Sequence, residues 1–187
     1  MSLLDPERLW SRAEVLARPC PVPSVPGVYA WYFREVPAGV PTDGCVQHHD
    51  LTLLYVGIAP KQPPKNSAPP SRQTLRSRLR YHFRGNAEGS TLRLTLGCLL
   101  GLALRRVGSG TRMTFAADEE VLSDWMAANA FVTWVEHPEP WVLEEELISR
   151  VVLPLNLARN QRHPFHQVLT ALRREARERA HGFPLDH

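Results

Sequence analysis

Leu53-Leu54-Tyr55-Val56-Gly57 is the stretch on which the fold turns. It is apolar, β-branched and aromatic, and it ends on a glycine, which is the signature of a buried or half-buried strand. Thr52 to Ile58 is therefore expected to be extended. Upstream, Gly27-Val28-Tyr29-Ala30-Trp31-Tyr32-Phe33 has the same character and predicts a second strand. Each strand carries a tyrosine close to a glycine. Residues 34 to 50 contain Pro37, Gly39, Pro41 and Gly44 and make a long connection between two strands expected to pair antiparallel. Phe131 to Glu136 is again β-branched and aromatic and predicts the third strand of one sheet.

Working outward, residues 5 to 17 predict a docking helix. Leu9, Trp10, Ala13, Leu16 and Ala17 share a face, Asp5 is the expected cap, and Pro6 suits the first turn. Pro19, Pro21, Pro23 and Pro26 then lead extended into the first strand. The loop Pro60 to Ser71 is rich in proline, lysine and serine; it is either a surface insertion or a backbone contact through Lys61 and Lys65. Ser71 or Thr74 is expected to cap a helix over Leu75–Phe83, with Leu75, Leu79 and Phe83 as its apolar stripe. Arg76, Arg80 and Arg84 lie to one side of it, and Arg78 and His82 share a face one turn apart. Further helices are expected over 91–105 (capped by Ser90), 119–129 (capped by Asp118), 141–152 and 164–180, with a short strand near 112–115. The last helix sets Arg173, Arg174, Arg177 and Arg179 against Glu175 and Glu178. With no internal repeat and no long linker, these elements predict one α+β domain, a small antiparallel three-stranded sheet flanked by helices.

The 187 residues are enough for one core without a staple. Apolar content of 43% and charged content of 22% describe an ordinary globule. A net charge of +3 and a pI near 9.0 permit a nucleic-acid partner without requiring one. Cys20, Cys45 and Cys98 are scattered and odd in number, which is no disulfide framework and favours a reducing cytoplasm. No signal peptide is expected at the start, and the longest apolar run, Leu96 to Leu104, is too short to span a bilayer.

Several side chains are candidates for chemistry. A strand tyrosine is ordinarily a packing residue, but Tyr29 and Tyr55 emerge near one end of the sheet if their strands are adjacent. An arginine face is ordinarily solvated, yet the Arg78 guanidinium matches phosphate geometry, and His82 one turn on can reach the same group. In Glu144-Glu145-Glu146, Glu144 adjoins the stripe Leu143, Leu147 and Val151. It is either part of a solvated acidic face or a hard oxygen ligand for Mg²⁺ or Mn²⁺. Asn156 in Pro154-Leu155-Asn156 would by default hold a turn. Cys45, His48 and His49 lack a fourth ligand at zinc spacing.

Taken in order, these residues resemble the GIY-YIG nuclease superfamily. Gly27-Val28-Tyr29 and Tyr55-Val56-Gly57 stand for its two signature strands. Leu75-Arg76-Ser77-Arg78-Leu79-Arg80-Tyr81-His82-Phe83 stands for its arginine helix, and Leu143-Glu144 with Pro154-Leu155-Asn156 completes the set. The resemblance covers about residues 26 to 158, with insertions near 60–71 and 90–129. Residues 1–25 would be an N-terminal lead-in and 159–187 a basic helix packed on the domain. Ile58 departs from the pattern, standing where many members place lysine or serine. The resemblance implies a divalent-metal-dependent endonuclease that hydrolyses DNA. Glu144 would hold one Mg²⁺ (or Mn²⁺), Tyr29 would help activate water, and Tyr55 would orient water or phosphate. Arg78, with His82, would stabilise the transition state, and Asn156 would support the site. Gly57, Arg76 and Arg80 would contact substrate. The alternatives are an inactive nucleic-acid-binding module of the same fold and an RNA-directed phosphodiesterase. A homodimer or partner protein could supply specificity.

Overall fold

The computed structural model describes residues 2–63 and 71–185. Gly27–Phe33 forms β1, and all seven residues are buried because the strand is covered on both faces and paired on both edges. Its neighbours are β3 (Leu51–Ala59) and β6 (Ala130–Glu136), both antiparallel to it. The sheet has four strands rather than three: β2 (Gln47–His48) adds a two-residue edge against the start of β3, giving the order β2-β3-β1-β6.

The helices sort onto the two faces. Tyr29, Trp31 and Phe33 point into the larger core with α2 (Leu75–Arg84), α3 (Thr91–Leu99) and α4 (Asp118–Asn129). Val28, Ala30 and Tyr32 point the other way, into a smaller core with α5 (Pro140–Arg150) and Leu3. The last helix, α6 (Phe165–Gly182), packs on α3 and on β4 (Arg105–Val107), which forms a hairpin with β5 (Arg112–Thr114). No helix among the described residues is long and apolar enough to cross a membrane.

Three expectations are corrected. The N-terminal helix is only α1 (Arg12–Leu16), capped by a Ser11–Glu14 capping box and not by Asp5. Its start is delayed because Trp10 exchanges both backbone hydrogen bonds with Val132 of β6, at 2.8 and 2.9 Å. The helix expected over 91–105 stops at Leu99, where Gly101 takes φ +74° and Leu102 N–H closes onto the Gly97 carbonyl. Asp118 opens α4 but makes no side-chain cap; the next residue, Glu119, accepts the N–H groups of Phe115 and Ala87 instead.

Glu119 also answers the most costly group in the core. Arg93 lies on α3, which is otherwise mostly apolar, and its side chain is fully buried. Its guanidinium donates to the Glu119 carboxylate at 2.6 and 2.9 Å, to the Glu119 and His82 carbonyls, and to Ser123. A buried ion pair adds little net stability, but stripping one partner leaves an uncompensated charge. Glu119→Ala should therefore cost about 3–5 kcal/mol in urea unfolding; a loss below about 1 kcal/mol would show that water reaches Arg93.

Candidate functional site

In the β1–β3 pairing, Tyr29 stands opposite Gly57 and Trp31 opposite Tyr55. The register then jumps, because Leu54 is an extra residue in β3 and Tyr32 pairs with Leu53. Side chains two apart on a strand normally share a face, and a bulge breaks that rule. Leu53 therefore points into the smaller core, while Tyr55 points to the face that carries Tyr29. Gly57 leaves room for the Tyr29 ring: a Cβ built there would lie 2.6 Å from the phenol oxygen.

Across that face runs α2, started by a reciprocal Thr74–Ser77 capping box. Its apolar stripe, Leu75, Leu79 and Phe83, goes into the core and carries Arg78 and His82 inward with it. His82 is fully buried, with Nε2 at 2.8 Å from the Tyr29 hydroxyl and Nδ1 at 2.7 Å from the Ser90 hydroxyl. Arg78 donates from Nε to the Tyr29 oxygen at 3.4 Å and from Nη1 to the Gly89 carbonyl at 2.8 Å. Burial, reinforced by the Arg78 and Arg93 charges, holds the His82 pKa well below its ordinary value, so the ring is neutral. Burial first, and then Tyr55, push the Tyr29 phenol far up, with Arg78 working against them. Burial raises Tyr55 as well, opposed by its hydrogen bond from Thr91 and by Arg78. Both tyrosines are thus neutral phenols near pH 7.

The acidic run on α5 divides. Glu145 pairs with Arg159 at 3.1 Å and Glu146 with Arg150 at 2.6 Å, both near the surface. Glu144 instead lines a cavity of about 340 Å³ with Tyr29, Tyr55, Gly57 and Arg78. Lys61, Trp141 and Arg159 complete the working part of its wall. Burial raises the Glu144 pKa, while Arg159 and Lys61 pull it down.

Asn156 reaches the site through the backbone. Its Oδ1 accepts from Val56 N–H at 2.9 Å and its Nδ2 donates to Val56 C=O at 2.8 Å. Leu155 N–H bonds the Leu54 carbonyl at 3.1 Å. Together they take over the outer edge of β3 where β2 ends, and they clamp the residue between Tyr55 and Gly57. Arg76 and Arg80 are absent from the cavity wall. Arg76 donates to the Val22 carbonyl at 2.6 Å and so anchors the proline-rich lead-in. His82 is not on the wall either and acts on Tyr29 from behind. Of the loop 60–71, Lys61 lines the cavity, whereas Lys65 lies outside the described residues.

One carboxylate on a wall otherwise supplied with cations suits an ion that needs few protein ligands. Mg²⁺ keeps several waters and completes its shell with substrate phosphates, so Glu144 fits it as a sole protein carboxylate. Among the described residues no group of three or more His, Cys, Asp or Glu gathers as a metal cage, and that includes Cys45 with His48 and His49. Trp141 and Arg159 were not singled out from the sequence. Trp141 stands three residues before Glu144, on the same helical face, so the spacing held a signal. For Arg159 no local signal exists, since a turn with φ +61° aims it.

Two outcomes follow from this geometry. Asn156→Ala leaves the buried Val56 N–H and C=O unpaired and should cost about 2–4 kcal/mol in denaturant unfolding; a change under about 0.5 kcal/mol would mean that the clamp is dispensable. The second concerns pH. Below about 6.5 the unfolded chain protonates His82 while the folded chain does not, so stability falls as pH drops from 7 toward 5. His82→Gln should flatten that part of the stability–pH curve, and an unchanged slope would place the pH dependence elsewhere.

The GIY-YIG catalytic domain matches the chain over residues 27–175, well over half of its length. Comparison with curated proteins and with solved structures gave no match.

Proposed function

The chain belongs to the GIY-YIG nuclease superfamily, and from that premise we propose that it is an endonuclease that cuts DNA with one divalent cation, Mg²⁺ or Mn²⁺. The observation that carries this reading is the meeting of Tyr29, Tyr55, Arg78 and Glu144 on one cavity. A bound cation would supply Lewis-acid polarisation of the scissile phosphate. Glu144 would be the residue that holds it. Arg78 faces the phosphate from α2 and neutralises charge that grows on the non-bridging oxygens during in-line attack. Tyr29, a neutral phenol pinned by His82, accepts a hydrogen bond from the attacking water and sets its line of approach. Tyr55 orients water or phosphate beside it. Lys61 and Arg159 raise the local potential for an anionic strand. DNA is favoured over RNA as substrate on the strength of the family alone.

Supercoiled DNA, single-stranded DNA and RNA, each incubated with Mg²⁺, Mn²⁺ or EDTA, test the proposal. DNA should be nicked only with the metal, and Glu144→Ala should lower the rate on the order of 10³-fold, the loss of several kcal/mol of charge stabilisation. Cleavage that survives EDTA or Glu144→Ala would sink the metal role, and RNA cut in preference to DNA would move the substrate assignment. The carboxylate is the active form of Glu144, so the rate profile should carry an acid limb where that group is protonated. A cation competes with the proton, so raising Mg²⁺ should shift that limb to lower pH; a limb indifferent to Mg²⁺ would assign it to another group.

A further inference from the structure

The sequence presents Arg173 and Arg174 as neighbours on one basic helix, but the fold sends them in different directions. Arg174 is exposed and lies 3.7 Å from Glu178. Arg173 turns inward, toward α3 and the segment after α5. It lines a cavity of about 280 Å³ that shares Tyr55, Thr91, Glu144 and Ala158 with the cavity described above. The two cavities are therefore adjoining parts of one cleft, and Arg173 lines the part that Arg78 does not.

Arg173 lacks what such a side chain ordinarily has. Its Nε is sealed from solvent and has no hydrogen-bond partner among the described residues. It has no carboxylate within ion-pair distance there either; the charged group nearest in influence is another cation, Arg177. Arg93 shows the contrast within the same protein: a fully buried guanidinium, saturated by Glu119, Ser123 and two carbonyls, where Arg173 is half-buried with its Nε unmet. A half-buried guanidinium with no counter-charge in reach is a group that an incoming anion can satisfy. A planar fork of N–H donors facing a cleft suits a phosphate.

We propose that Arg173 forms a second anion subsite in the cleft, taking the phosphate next to the scissile one. This rests on the nuclease reading for the identity of the strand, but the subsite itself requires only a phosphodiester ligand. Arg78 then faces the reacting phosphate, and Arg173 fixes the register of the strand on the far side of Tyr55. Arg173 is thereby a positioning residue.

Binding of a fluorescein-labelled DNA duplex, followed by anisotropy in EDTA over a range of KCl concentrations, tests the subsite apart from chemistry. Arg173→Met should weaken binding and reduce the slope of log K against log salt by about 0.9, the release of one counterion. Arg174→Met should leave the slope unchanged. Without DNA, Arg173→Met should unfold close to the temperature of the parent chain, because the side chain gives up no carboxylate partner among the described residues. Should that variant fail to fold, the parent chain decides: duplexes with one phosphate at a time replaced by neutral methylphosphonate should reveal a sensitive position adjoining the cut. A salt slope untouched by Arg173→Met, or in its absence no sensitive neighbouring phosphate, overturns the subsite. DNA that binds with the expected slope change yet is never cut sinks only the catalytic reading, whereas a parent chain that does not bind DNA sinks both.

Discussion

One extra residue in a strand governs this site. Pleated strands alternate strictly, so Leu53 and Tyr55 would share a face in a regular β3. The bulge at Leu54 separates them: Leu53 stays under α5, and Tyr55 comes up beside Tyr29. Everything else in the cleft takes its place against those two phenols. Gly57 clears space for one of them, Asn156 clamps the backbone beside the other, and α2 lies across both. On the other edge of β3, beyond the short β2, the Leu155–Asn156 segment meets the Leu54 carbonyl and both backbone groups of Val56.

The second organising feature is the low polarity behind the cleft. Tyr29, His82, Ser90, Arg93 and Glu119 are linked through a core that excludes water. In such surroundings each hydrogen bond is strong and each unmet donor costly. Neutral His82 follows from this: two guanidinium groups nearby and no solvent leave no room for a third positive charge. Its ring therefore holds Tyr29 in place and does not bring charge of its own. The cations that do line the cleft are Lys61, Arg78, Arg159 and Arg173, with Glu144 as the carboxylate among them.

The chain order of strands and helices was legible in the sequence because local patterning is enough for it. Apolar, β-branched and aromatic runs announced β1 and β3, and Ser71 or Thr74 before an apolar stripe announced α2; that β1 lies between β3 and β6 came from the structure. Where the pattern misled at the first helix and at the sheet edge, a long-range contact was responsible. The Trp10–Val132 bridge cut the first helix short, and the two-residue β2 exists only because β3 offers it an edge. Glu144 was separable from Glu145 and Glu146 by its place beside the buried stripe.

By itself, the sequence determined that an α+β fold forms, with two signature strands, an arginine helix and a carboxylate helix in the order of the family it belongs to. Those features depend on neighbours within a few residues, which any reader of periodicity can see. Only the tertiary structure decided which basic side chains face the cleft. Arg76 anchors a loop, Arg78 meets Tyr29, Arg93 is locked to Glu119, and Arg173 keeps an Nε with no partner among the described residues. A guanidinium looks the same in every sequence position. Its meaning comes from whether folding brings a carboxylate, a carbonyl or open space against it.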